Sequence, residues 1–223
     1  MHFYMDDSSL LTAVEARVLG CLLEKETTTP EYYPMSLNAL VMACNQRSNR
    51  DPVVEWDEAT VERGLEGLRR QRLAVMMHLA GSRVPKYKHV LDSVYGNVDD
   101  SMKAVLCELL LRNVQTPGEL RSRTERLHPI ADLPALEAVV ERLAHYGSGP
   151  LVAVLPPGGG RRVRAVAHLL CGPVEEEAAS TAKAAAAPRL GDWREELEAK
   201  VGALQAEVAA LRETVDQLKI LLE

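Results

Sequence analysis

The sequence has few aromatic residues and no long apolar run, and each absence limits the kind of protein it encodes. Only 4% of its residues are aromatic although 47% are hydrophobic, a balance that favours aliphatic helix packing over a β-sandwich. No stretch reaches the roughly 18 apolar residues of a membrane-spanning helix. The start, "MHFYMDDSSLL", is acidic and shows no secretory signal. We therefore expect a cytoplasmic protein that does not contact membranes.

The sequence also lacks the patterns of catalytic and metal-binding sites. Its four cysteines are far apart and form no C-x-x-C motif, so we expect reduced thiols. The six histidines are scattered without an H-E-x-x-H motif, and Gly158–Gly160 lies between strands rather than before a helix, where a phosphate could bind. We expect no enzyme activity, no cofactor and no metal.

The negative charge is concentrated at one end of the chain. The formal net charge is −6, and residues 173–223 alone contain 11 acidic and 6 basic residues. The preceding part is therefore close to neutral. This distribution permits local basic surfaces but predicts no strong general attraction to nucleic acid.

The first part of the chain predicts three helices followed by a β-hairpin. Thr12 and Glu15 form a capping-box pattern at the start of the first helix, and Ser36 and Asp57 are plausible caps of the next two. Val53–Trp56 allows a very short strand before the third helix. Alternating apolar residues on both sides of Gly81-Ser82 predict the hairpin. This is the element order of a winged helix-turn-helix domain.

The same order recurs after about 80 residues, which makes duplication the organising feature of the chain. Thr116, Pro117 and Glu119 together mark another helix start, and strands surround a Pro-Gly tip near Gly158–Gly160. We expect a mainly α fold with small β-hairpins (α+β). It would comprise two tandem winged-helix domains, 1–97 and 98–172, each with its own aliphatic centre. An Ala/Glu-rich linker, 173–189, and a coiled-coil helix, 190–223, would follow.

The end of the chain carries a heptad repeat with valine at most a positions and leucine at d positions, which favours a parallel two-stranded coiled coil. We therefore expect a homodimer, with a single helix packed on its own chain as the alternative. The predicted dimerisation residues are Leu197, Val201, Leu204, Val208, Leu211, Val215, Leu218 and Leu222.

Three long motifs, "YYPMSLNALVMACNQRSNRDPV", "SRVPKYKH" and "QTPGELRSRTERL", occur in this order. With them, residues 10–172 resemble the YceH family of bacterial proteins. The resemblance implies a tandem winged-helix fold and leaves the biochemical role open. It does not extend to dimerisation through the heptad segment.

Basic residues near the two hairpin tips suggest contact with double-stranded DNA, because each cation that neutralises a phosphate releases a counterion. The third helix of the first unit is less suitable, since Glu58, Glu62 and Glu66 accompany its arginines; a solvated face of mixed charge is the alternative. The candidate DNA-binding residues are Arg47, Asn49, Arg50, Arg63, Arg69, Arg83, Lys86, Lys88, Arg121, Arg123, Arg161, Arg162 and Arg164.

The polar stretch Asn45–Arg50 has two interpretations. Its amides and arginines could read bases. Alternatively, they hold the corner between the second and third helices, with Arg50 paired to an acid on the third helix. We favour the structural role.

Two functions from different classes remain open. The first is a DNA-binding transcriptional regulator that acts through basic wings and the third helices. The second is a protein–protein interaction adaptor without direct DNA binding, which the acidic third helix and the net charge of −6 suggest.

Overall fold

The chain forms two successive sets of three helices and a hairpin, shown by a computed structural model that describes residues 10–96, 98–147, 149–158 and 162–173. This part contains seven α-helices and two antiparallel two-stranded sheets, so the predicted mainly helical α+β class is confirmed. The predicted linker from residue 174 onward and the heptad segment lie outside the described residues. The coiled coil therefore stays a prediction. None of the described helices has the length and apolar composition needed to cross a bilayer.

The first set begins with the predicted capping box. The Thr12 hydroxyl accepts from the Glu15 amide at 3.2 Å, and the Glu15 carboxylate accepts from the Thr12 amide at 2.7 Å. Ser36 and Asp57 cap the next two helices, as predicted. The elements are α1 (Ala13–Thr28), a 3-10 helix (Pro30–Tyr32), α2 (Leu37–Cys44), α3 (Glu58–Arg70), β1 (Ala74–Met77) and β2 (Lys86–His89).

The second set repeats this order after a short connecting helix, α4 (Asp92–Tyr95). Asp99 caps its first helix, and Thr116 and Glu119 form the predicted capping box of the second, with Pro117 at its first position. The elements are α5 (Asp100–Arg112), α6 (Pro117–Thr124), α7 (Leu133–Ala144), β3 (Val152–Leu155) and β4 (Ala165–His168).

The two hairpins are attached to their helices in the same way. In each set, the residue before the N-cap of the second helix forms an isolated β-bridge with the second strand of the hairpin. Met35 bridges to Tyr87 of β2, and Gln115 bridges to Val166 of β4. A duplicated unit predicts that both copies contain such a bridge at the same position.

The two sets share one core, which differs from the expectation of two separate aliphatic centres. Buried hydrophobic residues of both sets form a single cluster. Its centre is the packing of α1 on α5 at Gly20, where an added Cβ would lie 2.9 Å from Leu111 Cδ2 and 3.0 Å from Leu110 Cβ. The Cys107 thiol also donates to the Gly20 carbonyl at 3.4 Å. The predicted boundary at residue 97 thus falls between α4 and α5, while the core continues across it.

A buried charge network joins the two sets beside this contact. Glu24 of α1 and Glu108 of α5 are 1% and 0% exposed. Arg126, after α6, binds both carboxylates, at 2.6 Å and 2.7 Å. Arg50 adds a second ion pair to Glu24 at 2.6 Å, and Arg112 lies 3.3 Å from Glu108. Burial acts to raise the pKa of Glu24, but the hydrogen bonds and charges of Arg50 and Arg126 hold that pKa below its usual value.

The corner between α2 and α3, residues 45–56, is held by polar side chains. Asn45 Nδ2 donates to the Trp56 carbonyl at 2.8 Å, and the Trp56 amide donates to Asn45 Oδ1 at 2.9 Å. These bonds occupy the N–H and C=O of Trp56. Val53–Trp56 forms no strand, although the sequence allows a very short one there. Arg17 supports the same corner by donating to the Cys44 and Pro52 carbonyls at 3.2 Å and 2.7 Å.

We predict that Gly20→Ala destabilises the protein. The added methyl group overpacks the contact between α1 and α5, and this cost exceeds the gain in helix propensity, leaving a net loss of about 1 kcal/mol in the free energy of unfolding. Urea denaturation measures this change. Gly118→Ala in α6 is the control, because nothing lies within 4 Å of its added Cβ. A Gly20 variant as stable as the Gly118 variant would contradict the close packing.

Candidate nucleic-acid interface

The first hairpin, defined as residues 74–89, presents two lysines on its outer face. Lys88 pairs with Val75 and Lys86 with Met77 across the sheet. Because side chains alternate along a strand, these lysines point away from the side on which the intervening Tyr87 is buried. Lys86 and Lys88 therefore lie on the outer face of the hairpin, beside the apolar side chains of Val75 and Met77.

The hairpin is fixed to the first helical set by its buried face. The His89 amide donates to the Tyr33 hydroxyl at 2.8 Å, and His89 Nε2 lies 2.6 Å from Glu26 Oε2. The Leu91 amide donates to His89 Nδ1 at 3.4 Å, which leaves the proton of a neutral ring on Nε2, facing Glu26. The hydrogen bond with His89 lowers the pKa of Glu26. The strand that carries Lys86 and Lys88 is therefore fixed to the first helical set.

Three cations of the first hairpin are available for a ligand. Arg83 in the loop is exposed, and Lys86 and Lys88 are partly exposed. Their side chains form no hydrogen bond or ion pair with another described residue. No acidic residue occurs between positions 74 and 89. This surface can therefore bind an anion without first breaking an internal contact.

The face of α3 has mixed charge, as the sequence predicts. Its exposed acids begin with Glu58 at the start of the helix, while Arg69 and Arg70 lie exposed in the last turn. Acids at the start of a helix and arginines in its last turn interact favourably with the helix dipole, so this arrangement of charges stabilises α3 without any ligand. Arg63 donates to Thr60 at 2.9 Å. We infer that α3 contributes less to anion binding than the first hairpin.

The candidate residues of the corner separate into one exposed and two engaged side chains. Arg47 is exposed and has no partner among the described residues. Asn49 adopts φ 58°, and its Oδ1 accepts from Arg112 at 2.5 Å. Arg50 is 4% exposed, donates to Ala43 at 3.0 Å and pairs with α1 rather than with an acid of α3. Arg50 is therefore not available to contact a ligand.

The candidate arginines of the second set are mostly engaged inside the protein. Arg121 donates to the Ala131 carbonyl at 2.8 Å, and Arg123 donates to Gln115 Oε1 at 2.6 Å. Arg164 in the second hairpin forms an ion pair with Glu137 of α7. Arg162 is exposed without a partner in the described part of the chain, and Arg161 lies outside it. The two hairpins therefore differ, although the sequence suggests that both are basic.

The residues that sequence reasoning missed are the buried acids. Glu24 and Glu108 are positioned within helical apolar stretches, "CLLEKE" and "VLCELLL". A carboxylate surrounded by core residues on a helix is the signal that could have indicated burial, because such a group needs a cationic partner. Its partners could not be identified from spacing, since they come from distant parts of the chain.

The fold and this surface define the class of protein: an α+β protein with a repeated helix–hairpin order and a basic first hairpin. The chain belongs to the family described as "Protein of unknown function, DUF480", which matches residues 11–161. The chain is 50% identical to a UPF0502 protein of Pelobacter propionicus, over 94% of this chain and 97% of that relative. It is 43% identical to the UPF0502 protein YceH of Salmonella paratyphi B, over 93% and 95%. The resemblance to the YceH family is thus confirmed.

We predict that Glu26→Gln lowers stability at neutral pH but not in acid. The pKa of Glu26 is lower in the folded state than in the unfolded chain, so ionised Glu26 stabilises the fold. This stabilisation is fully present above the unfolded-state pKa and is lost as the pH falls through the folded-state pKa. Because Glu26 is 44% exposed, we expect a difference of about 1 kcal/mol at pH 7. Denaturation of both proteins between pH 3 and pH 7 measures it. Glu31→Gln, outside this contact, is the control; a difference independent of pH contradicts the assignment.

Proposed function

We propose that each set of three helices and a hairpin is a winged-helix unit, and that the protein binds duplex DNA as a transcriptional regulator. The observation that carries the proposal is the group of free cations on the first hairpin, namely Arg83, Lys86 and Lys88. In winged-helix proteins the third helix usually enters the major groove, while the hairpin reaches the neighbouring backbone or minor groove. A hairpin with cations and no acids suits contact with phosphates.

The proposal assigns unequal roles to the two units. The first hairpin supplies the main phosphate contacts, and exposed Arg47 and Arg69 add to them where the duplex comes near. The second unit contributes less, because Arg164 pairs with Glu137 and because Arg121 and Arg123 donate to groups within the protein. Affinity should then be largely electrostatic and strongly salt-dependent. The protein acts as a cytoplasmic binding protein and uses no catalytic residue or cofactor.

Dimerisation through the heptad residues, Leu197 to Leu222, is part of the proposal. Two linked chains would bring two basic hairpins to one duplex, and the second contact would then form at a high effective concentration. A dimer would thereby compensate for the small number of cations on each chain.

We predict that the combined variant Arg83→Ala, Lys86→Ala and Lys88→Ala weakens binding to duplexes of every sequence. Loss of up to three phosphate contacts should reduce the slope of log affinity against log salt by roughly 2 to 3 for each chain bound, or about 5 for a dimer that uses both hairpins. Fluorescence anisotropy with labelled duplexes across a salt series measures this change.

The control for this experiment is the combined variant Arg162→Ala and Arg164→Ala of the second hairpin, for which we expect a much smaller effect. Equal losses in the two variants would contradict the unequal roles. If the full chain binds no duplex even at low salt, the proposed function is wrong.

An interaction adaptor is the second candidate function, and exposed apolar side chains would serve it. Leu133, Val154 and Val163 of the second unit are 44%, 45% and 54% exposed, and Tyr32 and Met42 of the first are 75% and 69% exposed. Affinity purification from lysate that returns a stoichiometric protein partner, lost with Leu133→Ser and Val154→Ser, would support this role. No such partner, together with salt-dependent DNA binding, would favour the regulator.

A further inference from the structure

The loop between the two strands of the first hairpin, residues 78–85, carries two apolar side chains that lie outside the core. Leu79 and Val84 are 39% and 50% exposed. Neither belongs to the buried hydrophobic cluster or to the partly buried side chains packed against it. A single exposed apolar residue is ordinary on a protein surface, but two on one short loop offer a ligand a larger apolar contact.

The loop is ordered by hydrogen bonds of its own residues. The Ser82 amide donates to the Leu79 carbonyl at 3.0 Å and closes a turn, in which Gly81 has the positive φ of 81° that favours glycine. The Ser82 hydroxyl donates to the Val84 carbonyl at 2.7 Å and accepts from the Val84 amide at 3.4 Å. The backbone that carries Leu79 and Val84 is therefore arranged before any ligand binds.

Cations without an internal partner lie beside these apolar side chains. Arg83 directly precedes Val84, and Lys86 follows it two residues later. A ligand that contacts all of these groups offers negative charge and apolar surface close together. Duplex DNA does so, because its phosphates flank the sugars and the stacked bases. An acidic membrane does so too, but the loop contains none of the tryptophan and tyrosine that are enriched at membrane interfaces.

We propose that Leu79 and Val84 form an apolar wedge that enters the minor groove of the bound duplex, partly unstacks one base step and bends the DNA. This inference rests on the proposed function, to which it adds a mode of contact and a class of target. Apolar wedges of this kind unstack neighbouring base pairs, and the bent duplex then meets more of the protein surface. Pyrimidine–purine steps unstack most easily, so the preferred targets are duplexes with a TA or CA step at the hairpin.

The second hairpin provides a matched comparison within the same chain. Val163 lies two residues before β4, as Val84 lies two residues before β2, and it is 54% exposed. Its neighbour Arg164 is paired with Glu137, so this hairpin offers fewer cations to hold phosphates beside an inserted side chain. We therefore expect Val163 to stay outside the duplex, and Val163→Ser is the control for the wedge.

The test measures bending and affinity separately with the full chain. Energy transfer between dyes at the two ends of a duplex reports the bend, and 2-aminopurine at a central TA step reports unstacking. The wild type should change both signals and should bind this duplex roughly tenfold more tightly than one with a GC step. The combined variant Leu79→Ser and Val84→Ser should change neither signal and should bind the two duplexes alike. Its slope of log affinity against log salt should equal that of the wild type, because its cations remain.

The possible failures are distinguishable from one another. If the wild type binds duplexes but neither bends nor unstacks them, the wedge is wrong and the proposed function stands. If Val163→Ser abolishes the bend as completely as the combined variant does, the assignment to the first hairpin is wrong. If no duplex binds at low salt, both proposals fail. Vesicles that contain phosphatidylglycerol are the final arm, and binding to them without binding to any duplex would overturn the wedge in favour of a membrane contact.

Discussion

The structure depends on the neutralisation of two buried carboxylates, one from each half of the chain. Glu24 and Glu108 are almost completely removed from water, and a buried charge without a partner strongly destabilises the folded state. Arg126 pairs with both. Each carboxylate also has an arginine from its own half, Arg50 for Glu24 and Arg112 for Glu108. Arg126 thus links the two buried carboxylates, and the hydrophobic core likewise continues across both halves.

Internal ion pairs, buried or at the surface, also distinguish the candidate DNA-binding arginines from one another. Arg50 looks like a base-reading residue in the sequence, but it is used to neutralise Glu24, and Arg164 is used by Glu137. The cations of the first hairpin have no such internal role. In the described part of the chain, the first hairpin thus keeps three cations without an internal partner, whereas the second hairpin keeps Arg162. The proposed DNA contact follows from this division.

Features determined by local chemistry could be predicted from the sequence. The capping boxes at Thr12 and Thr116 depend on residues three positions apart, and the hairpins depend on alternation around a turn. Pairing between distant residues could not be predicted in this way. The sequence suggests an acid of α3 as a partner of Arg50, yet Glu24 lies on α1. For the same reason the sequence allows a very short strand at Val53–Trp56, since nothing nearby in sequence shows that Asn45 binds Trp56.

The most direct test of a single cooperative unit is native-state hydrogen exchange of Arg126→Met. The account predicts that the amides of α1 and α5 lose protection together, by about 2 to 3 kcal/mol, because one side chain supports a carboxylate on each helix. Arg142→Met, which breaks the more exposed ion pair with Asp99, should change protection by less than about 1 kcal/mol. Loss of protection in α5 with α1 unchanged would contradict the account.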